Sequence, residues 1–520
     1  MVLRRSSLGA LGLVGAVALA VACGSVGETD SSTAMVGATG AAVAGSGGGA
    51  GASTGGSSGQ GAGAPNVHDP LGQSPVDDGG LVNVSADLDA VLEGGALETA
   101  CTEYWGGKKD RTTMLRCGKR MFFDESFGTS GVPAALVDFL VKKLPNSVGP
   151  GMAKLGMIAD PRSAKSLPLG IVPTTPLSAT VPAYAFSCAS CHFGRLPDGR
   201  YAVGAPNHDY DYGLQNLAFA LFPQLALADT GANDPDAVAR LKPLLDELKG
   251  TPGLNLEMMV TLIGLLGVKI PDFPAEVQHH YANWRTGTMD FLIAPLPIDD
   301  GVHTVTKISA LWSIPTAEEM KASGMSHAML GWGGPVHSVM NFLKEFVSFG
   351  GGVPAAWPEE KLAPLVAYIE TLRAPANPTP PAPAEIAAGQ ALFETAGCTT
   401  CHGGPAGGGT KTYSFAEIGT DSELAKWLDP KLSGKACCGA TLEPGETLSH
   451  GVKSPRLVGA WAMSRFLHNG SVSTLEELFC LNGPRGAVTE PAYRDGGHAF
   501  TCDGLTPSEK QSLIAYLRAR

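Results

Sequence analysis

The sequence predicts a mainly α chain of two related units, each with long irregular loops, and three observations carry that prediction. The pentapeptide Cys188-Ala189-Ser190-Cys191-His192 returns as Cys398-Thr399-Thr400-Cys401-His402. Segments flanking the two copies match in the same order, as in an internal repeat. Amphipathic stretches recur at helical spacing, while 38 prolines and 68 glycines break the sequence between them.

Size and charge bound the rest. A chain of 520 residues with 44% hydrophobic content has room for two or three domains and their cores. The formal net charge of -12, without a run of like charge, argues against nucleic acid as a partner.

Residues 1–23 have the parts of an export signal: Arg4 and Arg5, an apolar run from Leu8 to Val21, and small residues before Cys23. That run is too short to span a bilayer comfortably, and so is Met258 to Val268, the nearest later candidate. Leu19-Ala20-Val21-Ala22-Cys23-Gly24 resembles a bacterial lipoprotein box, which makes Cys23 the expected lipid attachment site; plain secretion is the alternative. From 24 to about 80 the chain is rich in Gly, Ala and Ser, too poor in apolar surface to offset its ordering entropy, and reads as a disordered tether.

The first unit is expected over 95–373, with insertions. The second follows over 385–520, and the proline-rich stretch 374–384 links them. Gly389-Gln390-Ala391-Leu392-Phe393 lies on a predicted helix running into Cys398. Its counterpart Gly118-Lys119-Arg120-Met121-Phe122 precedes a long insertion before Cys188. Lys307-Ile308-Ser309-Ala310-Leu311-Trp312 parallels Lys453-Ser454-Pro455-Arg456-Leu457-Val458, and Gly333-Gly334-Pro335-Val336-His337-Ser338-Val339 parallels Asn469-Gly470-Ser471-Val472-Ser473-Thr474-Leu475. Each unit closes on a similar amphipathic helix, through Tyr368 and through Tyr516.

The pentapeptides carry the chemistry. Two cysteines spaced by two residues and followed by a histidine can form thioethers with both vinyl groups of a haem, with the histidine Nε2 on the iron. A zinc knuckle, a redox pair or a disulfide would leave the adjoining histidine unexplained in both copies. Two covalently bound c-type haems are therefore expected, on Cys188, Cys191, Cys398 and Cys401, with His192 and His402 as proximal ligands. Opening helix, haem motif, loop-rich middle and closing helix is the order of a c-type cytochrome, so each unit reads as cytochrome c-like. Cys101, Cys117, Cys437, Cys438, Cys480 and Cys502 remain for disulfides in an oxidising compartment, and proximity pairs Cys101 with Cys117 and Cys480 with Cys502.

With these motifs, Lys453-Ser454-Pro455-Arg456-Leu457 and above all Phe466-Leu467-His468-Asn469-Gly470-Ser471-Val472, the chain from about 110 to 520 resembles the bacterial di-haem cytochrome c peroxidase superfamily. The wide separation of the haem motifs, the insertion before Cys188 and Gly497-His498 ahead of the last helix are similar to its rubber oxygenase branch. The methionine that caps the second haem in the peroxidases is replaced here by Asn482. The resemblance, with the position of the loop before the closing helix, favours His498 as distal ligand of the second iron. His468, Met463, His450 or an open site are the alternatives, and His468 otherwise reads as a group that orients the loop or a propionate. Around the first haem the expected catalytic residues are His208, whose spacing from His192 is similar to that of the peroxidases' removable distal histidine, and Trp332, which aligns with His468. A polar loop and a packed core tryptophan are their plain alternatives, and Met258, Met259 and His337 are further candidates.

The expected function is an exported oxidoreductase in which the second haem relays electrons and the first reacts with peroxide or O2. A pure electron-transfer cytochrome and a haem-based sensor subunit are the alternatives. A small redox protein or other electron acceptor is the expected partner, and the membrane is reached through the lipid anchor only, on the periplasmic side of an outer membrane. The resemblance also allows a calcium between the units, for which isolated acidic residues assign no ligands.

Overall fold

A computed structural model describes residues 76–227, 233–254, 256–266, 274–290, 305–322, 324, 329–334, 336–409, 411–428, 451–486 and 488–520. The signal segment with Cys23, most of the tether, Cys437, Cys438 and His450 lie outside the described residues. The architecture is mixed, about 47% helix and 11% strand, so helix dominates as expected and short sheets are added to it.

Two helix pairs are built alike. Helix Arg111–Asp124, capped by Asp110 through the Thr113 amide, crosses helix Glu359–Thr371 at Gly118. A Cβ there would lie 2.0 Å from the Pro364 carbonyl oxygen and 2.6 Å from Tyr368 Cβ, so only glycine permits the crossing. Helix Pro383–Thr395 crosses helix Pro507–Ala519 in the same way, a Cβ at Gly389 falling 2.0 Å from the Ser512 carbonyl oxygen and 2.7 Å from Tyr516 Cβ. An aromatic one turn on completes each crossing: Phe122 meets Tyr368 at 6.1 Å and Phe393 meets Tyr516 at 5.2 Å between ring centroids.

The matched loops also share geometry. Leu330 N donates to Val336 O at 2.8 Å and Phe466 N to Val472 O at 2.7 Å, closing two tight hairpins with Gly334 and Gly470 at positive φ. The units then exchange equivalent bonds. Lys307 N donates to His468 O at 2.8 Å, while Lys453 N donates to Trp332 O at 2.9 Å. Each lysine ends a short strand of its own unit, Val305–Lys307 or Gly451–Lys453, and reaches the hairpin of the other.

Folded structure begins ahead of residue 95. Val84–Ser85 pairs with Tyr201–Val203, and the fully buried Lys119 ties this segment down through Val82 O at 2.8 Å and Glu93 Oε1 at 2.7 Å. The insertion before Cys188 shares a core with helices that follow the pentapeptide. The antiparallel strands Ile171–Ser178 and Val181–Phe186, with Val132–Pro133 at their edge, pack with helices Ala134–Lys143, Tyr212–Ala220 and Pro235–Gly250 around Leu136, Phe219, Phe222 and Leu241. The stretch after Leu372 is extended but anchored, since Trp461 Nε1 donates to Pro375 O at 2.9 Å and Asn377 Nδ2 to Arg518 O at 3.0 Å. Cys101–Cys117 and Cys480–Cys502 are disulfides, as proximity paired them. Among the described residues no helix is long and apolar enough to cross a membrane.

Candidate functional site

Each pentapeptide forms a short helical turn, Cys188–His192 and Thr399–His402. The first is seated tightly. The Ser187 hydroxyl accepts from the Ala189 amide and donates to Phe123 O at 2.7 Å, while Asn207 N donates to Cys191 O at 2.8 Å. Gly170, at φ +88°, lets the preceding loop come so close that a Cβ would lie 2.2 Å from Ser190 N. None of the four pentapeptide cysteines is in a disulfide. Burial pushes the Cys188 thiol up to about 12 and Cys191 up to about 11.

The two histidines are oriented by equivalent carbonyls. His192 Nδ1 lies 2.9 Å from Ser309 O, and His402 Nδ1 lies 3.2 Å from Gly407 O with the Pro455 carbonyl also beside it. Ser309 and Pro455 occupy matched positions of the repeat. An Nδ1–H given to a carbonyl fixes the tautomer and leaves Nε2 as the coordinating lone pair. Burial lowers both rings, His192 to about 4, so both stay neutral near pH 7.

Facing His402 is His498, with ring centroids 6.0 Å apart and planes at 51°. A metal held between two imidazoles by bonds of about 2 Å separates the ring centroids by roughly 6 Å. His498 stands at φ 56°, uncommon for a residue with a side chain, and its buried Nδ1 has no hydrogen-bond partner. The surrounding bonds hold it there. Arg485 donates to Gly497 O at 2.6 Å, Thr501 Oγ1 donates to His498 O at 2.7 Å, and the Cys480–Cys502 disulfide clamps the following turn. Burial first, then His402, Arg485 and Lys307, lowers His498 to about 3.

His468 stands apart from this pair. Its Nδ1 is 3.3 Å from Thr420 Oγ1, its ring meets Phe415 at 5.7 Å, and burial with Lys307 lowers it to about 3. Its neighbour Asn469 donates to Ala492 O at 2.8 Å and to Arg494 O at 3.1 Å, so the His-Asn-Gly-Ser loop braces the segment that leads to His498. His208 is at the junction of the units, its Nε2 accepting from Ser464 N at 3.3 Å; burial and Arg465 lower it to about 4. Trp332 has two ammoniums near its ring, Lys453 at 5.0 Å and Lys307 at 6.0 Å. Met258 and Met259 lie on helix Leu256–Leu266 and pack into the core that the insertion shares with the helices after Cys188. Among the described residues His192 has no facing imidazole of the kind His402 has.

Nothing in the sequence marks Trp312 for a role of its own. It is fully buried, its Nε1 donates to Val203 O at 2.8 Å, and it fits between Gly204 of the first unit and Gly459 of the second. A Cβ on Gly204 would lie 2.8 Å from its ring and one on Gly459 2.7 Å. Its place beside two glycines distant in sequence is visible only in three dimensions.

The donor set can be tested against a metal alone. Among the described residues the only group of three or more Cys, His, Asp or Glu close enough to share an ion is Asp234, Asp236 and His279, far from the pentapeptides in sequence. Neither pentapeptide therefore has the four ligands of a zinc knuckle, whereas unpaired thiols beside a histidine with a free Nε2 suit a covalently attached haem. The chain matches no protein-family model, and no curated protein sequence matches it.

Proposed function

We propose that this chain is an exported di-haem c-type cytochrome, an oxidoreductase of the di-haem cytochrome c peroxidase type nearest the rubber oxygenases, with Cys23 as its lipid anchor. The facing pair His402 and His498, beside the unpaired Cys398 and Cys401, is the observation that carries the reading. A haem so bound supplies one-electron chemistry, and an iron with a free sixth position can also bind peroxide or O2.

The residues divide that work. His402 and His498, with rings 6.0 Å apart, would both hold the iron of the second haem and leave it no open position, which suits electron relay. His192 approaches with its Nδ1 fixed by Ser309 O, and no second imidazole opposes it among the described residues, which suits the reactive site. His208, neutral and buried with an unpartnered Nδ1, is the nearest candidate along the chain to hold or move a proton there. Trp312 fills the contact between the units that electrons from a small redox partner would cross.

Absorption and EPR spectra of the purified protein test the reading. One low-spin and one high-spin ferric signal are expected. Two low-spin signals would instead make the chain an electron carrier, and no haem spectrum would remove the proposal.

A further inference from the structure

Lys307, Lys453 and Arg456 bring three positive charges together without a carboxylate. Lys453 is only 8% exposed and Lys307 is half-buried, and neither ammonium makes an ion pair or a hydrogen bond among the described residues. Arg456 donates to Trp312 O at 3.1 Å and Ala310 O at 2.9 Å, which satisfies its geometry and leaves its charge uncompensated. Desolvation, Arg456 and Lys307 together hold Lys453 down to about 7, and desolvation holds Lys307 to about 8.

Magnitudes say that the protein itself does not balance this cluster. Burying one ammonium without a counter-charge costs several kcal/mol. The Trp332 face, 5.0 Å from Lys453 and 6.0 Å from Lys307, returns about 1 kcal/mol to each. The two lysines hold matched positions in the repeat and cross to each other's hairpin, so the cluster sits where the units meet. Lys307 is near enough to His402, His468, His498 and His208 to depress all four.

We propose that Lys307, Lys453 and Arg456 form a cationic seat for carboxylates at the junction of the units, and that the carboxylates are the propionates of the haem held by Cys398, Cys401 and His402. The assignment rests on the di-haem reading and adds residues to it. A free carboxylate or phosphate ion offers the same chemistry from another source, and the test separates the two.

Lys453→Gln and Lys307→Gln are made in the full chain, both haems are counted by mass, and midpoint potentials are measured with and without added acetate. Removing a cation beside a propionate favours the ferric state. Each variant is therefore expected to keep two haems and shift the bis-histidine midpoint to a more negative value, unaffected by acetate, with Lys453→Arg restoring it. Unchanged midpoints in both glutamine variants would overturn the proposal. So would a wild-type midpoint that moves with acetate through a response the variants lose, since the seat would then take a free anion. Wild-type protein without haem would instead sink the underlying reading.

Discussion

Replacing Gly389 by Ala probes the helix crossing on which the second unit depends. The added methyl would lie 2.0 Å from the Ser512 carbonyl oxygen and 2.7 Å from Tyr516 Cβ, well inside van der Waals contact. Both obstacles belong to a helix core rather than to the flexible end of a side chain, so the helices must part. Overpacking of this kind costs about 1–3 kcal/mol, and a backbone clash falls at the upper end. Alanine's better helix propensity returns about 1 kcal/mol, leaving a net loss of about 2 kcal/mol. At about 2–4 °C per kcal/mol, the melting temperature of the second unit should fall by about 4–8 °C. Gly264→Ala is the control, because Gly264 lies on helix Leu256–Leu266 with nothing within 4 Å of the added atom. Thermal unfolding followed by circular dichroism should show the first variant destabilised and the second unchanged or slightly stabilised. If Gly389→Ala melts with or above the parent protein, the crossing is not as close as described and the reasoning fails.

Two further predictions concern histidines. His498→Ala should convert one low-spin haem to high-spin or aquo-ligated while both attachments survive, whereas His468→Ala should leave axial ligation intact; the reverse pattern in absorption spectra would exchange their roles. Acid should also destabilise the protein through His468. Burial depresses its folded value from 6.5 to about 3, so the unfolded chain binds the proton first and stability is lost as pH falls through that interval. The melting temperature of His468→Gln should fall less steeply with acidification than that of the parent, and equal slopes would contradict the sign.

Much of the site was legible because it is local. A pentapeptide fixes its own spacing, so Cys188 to His192 and Cys398 to His402 needed no tertiary information. The repeat was legible because Gly118 and Gly389, Tyr368 and Tyr516 answer the same steric demand twice. The paired disulfides were close in sequence. Strands Ile171–Ser178 and Val181–Phe186 were missed because they lie in the insertion, which has no counterpart in the second unit to calibrate it. Lys307, Lys453 and Trp312 were named as parts of repeated segments but given no role. Their environment depends on the other unit, and pairing within one chain says nothing of how two copies exchange contacts. Trp332 was placed near the first haem by alignment, while its ring contacts run to the lysines of both units.

The most direct test of the account is the number and position of covalent haems. Protein produced in cells able to mature c-type cytochromes, stripped with acid and acetone and then digested, should retain one haem on the peptide bearing Cys188 and Cys191 and one on the peptide bearing Cys398 and Cys401. Free thiols at either pair, or a mass without both porphyrins, would contradict it.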